Sequence, residues 1–266
     1  MTKKILFIIS GLLVLGAIIA VIVTNKPRTS DKIITISSEN NFVYTESKRI
    51  SFKVYSNKLK HKMHFANNIS HVYLVASDES QRFELELVNI SYSHSEKYLK
   101  DDYYCYVYSF MMPRLEANLL VEDAHLEITL VNSIKYLLPV GEFKFLYYQE
   151  VGLEPVLSIN GLYGYKQQNS EYARLAKIII EYEKKTDFKL EQVSIDGSNN
   201  LQFIIDNNQI EIEIPYRQLS LSQAPIILTF SAEGKSVVQV VDNFQFFSDY
   251  QILSTSGDLI NVVATD

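Results

Sequence analysis

The sequence predicts an all-β protein in which an N-terminal transmembrane helix precedes two tandem β-sandwich domains of the immunoglobulin-like (Ig-like) kind. Three observations lead to this prediction. Residues 5–23 form an apolar run that only Ser10 interrupts. The rest of the chain alternates apolar and polar residues with a period of two, which is typical of half-buried strands. Several predicted strands also recur in the same order about 100 residues later, a spacing near the length of one small sandwich domain.

The apolar run is long enough to cross a bilayer as one helix. At about 1.5 Å of rise per residue, residues 5–23 approach the roughly 30 Å thickness of a hydrocarbon core. A cleaved signal peptide has a shorter apolar core and small residues at its cleavage site, whereas residues 20–24 read Ala-Val-Ile-Val-Thr. We therefore expect residues 1–24 to be a retained signal-anchor, followed by a polar linker over residues 25–31.

The orientation of this anchor is inferred from its short N-terminal head. Lys3 and Lys4 precede the apolar run, and Lys26, Arg28 and Lys32 follow it, so the positive charges on the two sides are nearly balanced. The residues before the run are too few to form a folded domain. We therefore expect a single-pass protein of the cell membrane whose folded body lies outside the cytoplasm.

The first β-sandwich domain is predicted over residues 32–149. Residues 49–55 show the pattern most clearly, because Ile50, Phe52 and Val54 alternate with their neighbours and would share one face of a strand. Further strands are predicted at residues 32–37, 71–76, 83–90, 103–110, 125–131 and 143–148. Polar or non-alternating residues at 40–41, 77–80, 95–101 and 113–123 are predicted as turns or loops.

The second sandwich domain is predicted over residues 171–266, after a joint at residues 150–170 that is rich in Gly. Ile210, Ile212 and Ile214 are expected to face its core, while the glutamates between them face solvent. The predicted strands of this domain cover residues 176–182, 188–196, 201–205, 210–214, 226–230, 237–241, 244–247, 250–253 and 259–263.

The two halves of the body resemble each other locally. Three pairs of segments match in order and in the spacing of their apolar residues: 83–91 with 188–196, 126–130 with 226–230, and 140–145 with 241–246. The repeated order favours a duplicated domain. Because alternation is common to all half-buried strands, the alternative is one larger β structure without duplication.

Candidate metal-binding and catalytic residues are few. His61 and His64 are three residues apart, but lysines surround them, so we expect an exposed loop without a metal. Cys105, the single cysteine, lies in an aromatic strand, where a thiol is usually buried and inert. No glycine-rich phosphate loop, dinucleotide motif or nucleophile elbow occurs. We therefore expect no metal, no cofactor and no enzymatic activity.

Tyrosine is the residue type that indicates a binding surface. The chain has 18 tyrosines and no tryptophan. Most of the tyrosines are expected to fill the core or to pair across strands. Tyr163 and Tyr165, two residues apart beside glycines in the joint, are the pair that we expect to be exposed and to bind a partner. Tyrosine suits this role because it offers a large contact area at low entropic cost.

Charge and location narrow the expected function. The net charge is -6 and no long run of Lys and Arg occurs, so we expect no nucleic-acid partner. The anchor indicates a membrane protein, and the β domains suggest a non-enzymatic interaction module that acts as an accessory subunit of an envelope or transport assembly, with a protein partner. The alternative is an envelope enzyme or a carbohydrate-binding module whose acidic or aromatic site cannot be picked out.

Overall fold

The computed structural model describes residues 30–44, 48–147, 155–167, 175–195, 200–216, 219–245 and 252–265, and these residues form an all-β structure. The predicted anchor at residues 1–24 lies outside the described residues, as does most of the predicted linker at residues 25–31. Across the described ranges, no helix has the length and apolar character needed to span a membrane.

The described residues form strands joined by turns and loops, with one short α-helix near the C-terminus and three 3₁₀ turns at Lys62–His64, Ala66–Asn68 and Gly257–Leu259. In chain order the elements are β1 (Asp31–Ile36), β2 (Ser38–Val43), β3 (Arg49–Ser56), β4 (Ile69–Val75), β5 (Arg82–Glu84), β6 (Leu87–Tyr98), β7 (Asp101–Met111), β8 (Leu119–Leu130), β9 (Lys135–Leu146), β10 (Leu157–Lys166), β11 (Leu175–Lys184), β12 (Lys189–Ser194), β13 (Phe203–Asp206), β14 (Gln209–Glu213), β15 (Ser220–Ala232), β16 (Lys235–Gln245), α1 (Ile252–Thr255) and β17 (Ile260–Thr265).

The strands group into four small antiparallel sheets, as many as the blades of a four-bladed β-propeller. The first sheet has the order β1-β3-β7-β6, with β17 beside β1, and the second has the order β9-β8-β4-β5. The third has the order β10-β11-β14-β13, and the fourth consists of β12, β15 and β16. β2 pairs in parallel with both β9 and β15, and it thereby joins the second and fourth sheets into one hydrogen-bonded sheet.

The same pairing pattern occurs twice along the chain. The pairs β1–β3, β3–β7 and β7–β6 of the first sheet correspond in order to β10–β11, β11–β14 and β14–β13 of the third. The pairs β4–β8 and β8–β9 correspond in the same way to β12–β15 and β15–β16. Two of the three matched sequence pairs fall on these equivalents, at β8 and β15 and at β9 and β16. The pair 83–91 and 188–196 does not, because β12 corresponds to β4.

Two apolar cores lie between the sheets. In the first core, Phe52 contacts Phe110 at 5.5 Å and Phe143 at 5.1 Å between ring centroids, so one aromatic side chain joins residues of the first and second sheets. In the second core, Ile212 and Phe230 belong to the third and fourth sheets and are fully buried. Each such side chain contributes roughly 1.5–3 kcal/mol by burial. The inward orientation predicted for the isoleucines of β14 is confirmed.

The turn predicted at Asn40 and Asn41 is wrong, because both residues lie within β2. Strand pairing on both sides of β2 outweighs the turn preference of asparagine. The polar side chains are buried in the strand, where the Asn41 side-chain amide donates a hydrogen bond of 2.9 Å to the Glu39 carboxylate. The sequence pattern misses β2 because this strand is polar yet buried.

Three other segments differ from the predictions. Much of residues 95–101 and residues 119–123, predicted as loops, belong to strands, since long hairpin pairing extends β6 and β8 beyond their alternating parts. Residues 252–253, predicted as the end of a strand, begin α1 instead. The predicted joint at residues 150–170 contains β10, which pairs with β11 over its whole length.

The C-terminal segment returns to the first sheet. Leu253 of α1 packs in a small cluster with Ile34, Tyr55 and Cys105, on the side of the first sheet that faces away from the first core. The backbone N–H of Leu253 donates a hydrogen bond of 2.9 Å to the buried carboxylate of Glu96 on β6. Residues of the predicted second domain, 171–266, thus complete the packing of the first sheet.

Candidate functional site

Tyr163 and Tyr165 lie on β10, the edge strand of the third sheet. Their residues are 47% and 48% exposed. Because residues two apart on a strand point to the same side, both rings lie on the face opposite the second core. In the strand register Tyr163 is opposite Ile179, and Tyr165 is opposite Lys177. The expected exposed tyrosine pair therefore lies on one outer face of the third sheet.

A glycine on the same strand makes room for the first of these rings. A Cβ atom at Gly161 would come within 2.8 Å of both the ring edge and the hydroxyl oxygen of Tyr163. The ring of Tyr163 therefore covers the backbone at Gly161. Its hydroxyl donates a long hydrogen bond of 3.4 Å to Glu181 Oε2 on β11. The glycine that suggested a loop in the sequence instead allows this packing within a strand, next to a register shift between Ile159 and Gly161.

A lysine lies against the second ring. The Nζ atom of Lys177 is 5.3 Å from the centroid of the Tyr165 ring and 3.1 Å from Glu211 Oε1. The ammonium group thus contacts an aromatic face and a carboxylate at once. Because both charged side chains are partly exposed, the ion pair adds little to stability. Its importance lies in showing that this surface accommodates a positive charge.

Carboxylates and amides continue across the same face. Gln209 donates a hydrogen bond of 3.0 Å from its side-chain amide to Glu181 Oε1. Next to Glu211, a cleft of about 420 Å³ opens along β13 and β14, lined by Asn200, Leu201, Gln202, Phe203, Ile204, Glu211 and Glu213. We name the surface formed by Tyr163, Tyr165, Lys177, Glu181 and Glu211 the tyrosine face. It combines exposed rings with a largely acidic surrounding.

Only the two tyrosines of this face were predicted as site residues. Lys177, Glu181 and Glu211 are brought beside them by pairing of β10 with β11 and of β11 with β14. No local sequence signal marks these three residues, because charged residues on the outer side of a strand are common. The predicted alternation of β14 does place Glu211 on an outward face, but it does not indicate what lies beside it.

The two histidines are buried, so the expectation that both are exposed in a loop is wrong. The His64 ring stacks on the Tyr106 ring at 3.8 Å between centroids. Its Nε2 atom lies 2.7 Å from Ser56 Oγ, and its Nδ1 atom lies 2.9 Å from the Tyr108 hydroxyl. Burial, and secondly the neighbouring His61, lowers the pKa of His64 to about 3. His64 is thus a neutral core group whose two ring nitrogens contact protein atoms.

The structure describes no arrangement that activates Cys105. Burial raises the pKa of the Cys105 thiol to about 11, so it stays protonated near neutral pH. His94 is its cross-strand neighbour, but the ring nitrogens of His94 contact Ser93 and Glu96 instead. Within the described ranges, no group of three or more His, Cys, Asp and Glu residues is placed to hold a metal ion.

Glu96 is a buried carboxylate that the sequence did not single out. It accepts hydrogen bonds from the Tyr55 hydroxyl at 3.1 Å and from the backbone N–H of Leu253 at 2.9 Å. His94 Nε2 lies 2.7 Å from the same carboxylate. These contacts offset the cost of removing the carboxylate from water. Their effect is to hold α1 against the first sheet, which is a structural role.

No protein-family model and no curated protein sequence matches this chain. Function is therefore inferred from the chemistry of the tyrosine face and from the membrane-anchor pattern of the sequence.

Proposed function

We propose that this protein is a membrane-anchored, extracytoplasmic binding protein that acts as a non-enzymatic accessory subunit of an envelope or transport assembly. The apolar run at residues 5–23 would serve as its single membrane helix, and its body would lie outside the cytoplasm. The tyrosine face would bind a protein partner. The observation that carries this proposal is the pair of exposed rings, Tyr163 and Tyr165, fixed side by side on a sheet.

We further propose that the body consists of two tandem Ig-like sandwich domains. An Ig-like domain of the constant type has four strands in one sheet, in the order A-B-E-D, and three in the other, in the order C-F-G. The strands β10 to β16, taken in chain order as A to G, pair in this way. Strands β1, β3, β4 and β6 to β9 repeat the pattern. Two separate apolar cores also support two sandwiches.

The chemistry of the tyrosine face suits a protein partner that carries positive charge. Exposed tyrosines are frequent among the residues that dominate binding energies in protein interfaces. Lys177 already lies between Tyr165 and Glu211 in the unbound chain. A lysine or arginine of a partner would find the same two kinds of group around Tyr163, where Glu181 adjoins the ring. Ring contact would supply affinity, and the carboxylates would select for charge.

Site-specific photo-crosslinking in the intact cell tests this proposal. A photoreactive phenylalanine analogue is placed at Tyr163 or Tyr165 in the full chain, and at Tyr92 as a matched control. Tyr92 is 51% exposed but belongs to the first sheet. We expect a discrete protein adduct from the first two positions and none from the third. Loss of that adduct on Glu181→Lys would support charge selection, whereas equal adducts at all three positions would contradict a specific tyrosine face.

The second candidate function is recognition of a carbohydrate. The cleft beside the tyrosine face is lined by the amides of Asn200 and Gln202 and by the carboxylates of Glu211 and Glu213, groups that pair with sugar hydroxyls. Titration calorimetry with envelope oligosaccharides, using the wild type and the Glu213→Gln variant, separates the two functions. Saturable binding that the variant weakens would favour a carbohydrate-binding module. Release of reducing ends during the titration would favour the enzyme alternative.

A further inference from the structure

Three loops of the first sandwich lie at one end of its sheets. They are residues 57–68 between β3 and β4, residues 99–100 between β6 and β7, and residues 131–134 between β8 and β9. Antiparallel pairing places the end of β3 beside the start of β7, and the start of β4 beside the end of β8. The backbone N–H of Val131 also donates a hydrogen bond of 2.8 Å to the carbonyl of Asn68. We name these three loops together the proximal end.

The chain enters its folded body at this end. Asn57 donates from its backbone N–H to the carbonyl of Lys32 at 3.1 Å, and Lys32 donates from its own N–H to Asn57 Oδ1 at 2.9 Å. The Nζ atom of Lys32 lies 3.4 Å from Asp101 Oδ2, beside the second loop. Lys32 therefore contacts the borders of two of the three loops. The apolar run that we propose as the anchor ends only a few residues earlier, at residue 23.

Each of the three loops exposes a large apolar side chain. Leu59 and Phe65 are exposed in the first loop. Leu99, with its residue 87% exposed, forms the tip of the second loop, and Val131, 65% exposed, begins the third. Exposed apolar residues that stand singly are ordinary, but a set collected at one end of a domain indicates an interaction surface.

Buried side chains and hydrogen bonds hold the first loop in place. Two of its own residues, Met63 and His64, are buried. The side-chain amide of Asn68 donates a hydrogen bond of 2.9 Å to the carbonyl of Lys62. The Tyr106 hydroxyl donates to the carbonyl of Leu59. The exposed side chain of Leu59 thus projects from a backbone that is already ordered, and binding through it would require little further loss of entropy.

Positive charge is concentrated in the same part of the sequence. Residues 47–77 contain no Asp or Glu, although the whole chain has a net charge of -6. Three of its basic residues, Lys58, Lys60 and Lys62, lie in the first loop, whereas Lys53 lies within β3 and Lys48 and Arg49 lie at the far end of that strand. Lys100 lies in the second loop and Lys97 near the end of β6, while the acidic Asp101 and Asp102 begin β7 on the other side of the loop. The proximal end therefore combines apolar tips with an excess of lysine.

We propose that the proximal end lies on the membrane surface and contacts anionic lipid. Leu59, Phe65 and Leu99 enter the headgroup region, while the lysines beside them bind lipid phosphates. This inference rests on the proposed anchor. Residues 25–31, even fully extended, span only about 23–25 Å, because each residue adds at most roughly 3.3–3.6 Å. A body tethered this closely through Lys32 presents the loops around Lys32 to the bilayer.

Tryptophan fluorescence tests the proposal in the full chain, because the protein contains no tryptophan of its own. Leu59→Trp and Leu99→Trp each introduce one probe, and the full-length variants are placed in nanodiscs of mixed neutral and anionic lipid. Leu120→Trp is the matched control. Leu120 is an exposed leucine near the start of β8, ten residues from the end of that strand at Leu130, or about 33 Å along it.

We expect lipids with brominated acyl chains to quench the fluorescence of Leu59→Trp and Leu99→Trp by at least about twofold, but not that of Leu120→Trp. In neutral nanodiscs, or after Lys58→Glu and Lys60→Glu are added to the Leu59→Trp chain, the quenching of its probe should fall towards the control. Quenching that is independent of both changes would overturn the part assigned to lysine. A blue shift without quenching would show that the probe is buried against protein, such as a second copy of this chain, and would overturn lipid contact.

The same experiment separates this inference from the proposed anchor. A chain that does not co-elute with nanodiscs would contradict the anchor, and the inference that rests on it. The chains could also co-elute while the Leu59→Trp and Leu99→Trp probes are quenched no more than the control probe. That result would agree with the proposed anchor and would overturn the lipid contact. Circular dichroism of each variant confirms that the strands are retained before the fluorescence values are compared.

Discussion

The side-chain amide of Gln239 pairs with the backbone of Leu157 in the way that a peptide group of a neighbouring strand would. Its Nε2 atom donates to the Leu157 carbonyl at 3.0 Å, and its Oε1 atom accepts from the Leu157 N–H at 3.2 Å. Gln239 lies on β16 of the fourth sheet, and Leu157 begins β10 of the third. One side chain therefore connects the edges of two sheets that share the second core.

This pair of hydrogen bonds predicts a specific loss of stability. Gln239→Met keeps the length of the side chain but leaves the N–H and C=O of the buried Leu157 without these partners, which costs about 1–3 kcal/mol. Gln192→Met, on an exposed position of β12, should change stability by less than about 0.5 kcal/mol. Urea unfolding of the two variants provides the comparison. Equal midpoints would show that the Gln239 contact does not stabilise the second core.

Substitutions on the two faces of β14 should differ greatly in their effect on stability. Ile212 is fully buried, so Ile212→Asp removes roughly 1.5–3 kcal/mol of apolar burial and adds an unpaired charge. Glu213→Lys, on the exposed face, should change stability by less than about 0.5 kcal/mol. Glu213 is a better control than Glu211, which pairs with Lys177. Thermal unfolding of both variants measures this difference, and similar melting temperatures would contradict the inward packing of Ile212.

His64 should make the fold sensitive to mild acid. Its pKa is lowered to about 3 by burial and by His61, whereas an unfolded histidine titrates near 6.5. Between these values the unfolded chain binds a proton that the folded chain does not, so stability falls as the pH drops from about 6.5 towards 3. The expected slope is about 1.4 kcal/mol per pH unit. Urea unfolding across this range should show a shallower slope for His64→Gln, and an unchanged slope would exclude His64 as the cause.

The two halves should differ in their ability to fold alone. A fragment of residues 155–245 contains β10 to β16 and the whole second core, so we expect it to be soluble and to melt cooperatively. A fragment of residues 30–147 lacks α1 and β17, which leaves Tyr55 and Cys105 uncovered. We expect it to aggregate or melt early, and a peptide of residues 252–265 should raise its melting temperature. A first fragment that is stable without the peptide would contradict this asymmetry.

The proposed anchor predicts how the protein partitions. The full chain should remain in the membrane pellet after alkaline extraction, because residues 5–23 offer enough apolar length to span a bilayer. A fragment that begins at residue 29 should be recovered in the supernatant after expression without the run. N-terminal sequencing of the full-length product is the second measurement. A mature N-terminus near residue 24 would indicate cleavage and would contradict a retained anchor.

Sequence periodicity alone was enough to locate most of the strands. In β3 and β14 the alternation of apolar and outward-facing residues predicts both the strand and the side that is buried, because side chains of a strand alternate between two faces. The turn of Asn207 and Asn208 between β13 and β14 was also predictable, since both residues take the positive φ that asparagine tolerates. Tyr163 and Tyr165 were instead singled out by the glycines beside them in the predicted joint, a segment that contains the strand β10.

Other features depend on residues that are far apart in the sequence, and only the tertiary structure decided them. Strand β2 exists because β9 and β15 bind both of its edges, although its polar residues favour a turn. Lys177 joins Tyr165 through strand register, and Glu96 meets the N–H of Leu253 more than 150 residues later. Local patterns record the preference of each segment for strand or turn. Pairing and burial between distant segments add energies that exceed these preferences, and they determine which side chains meet.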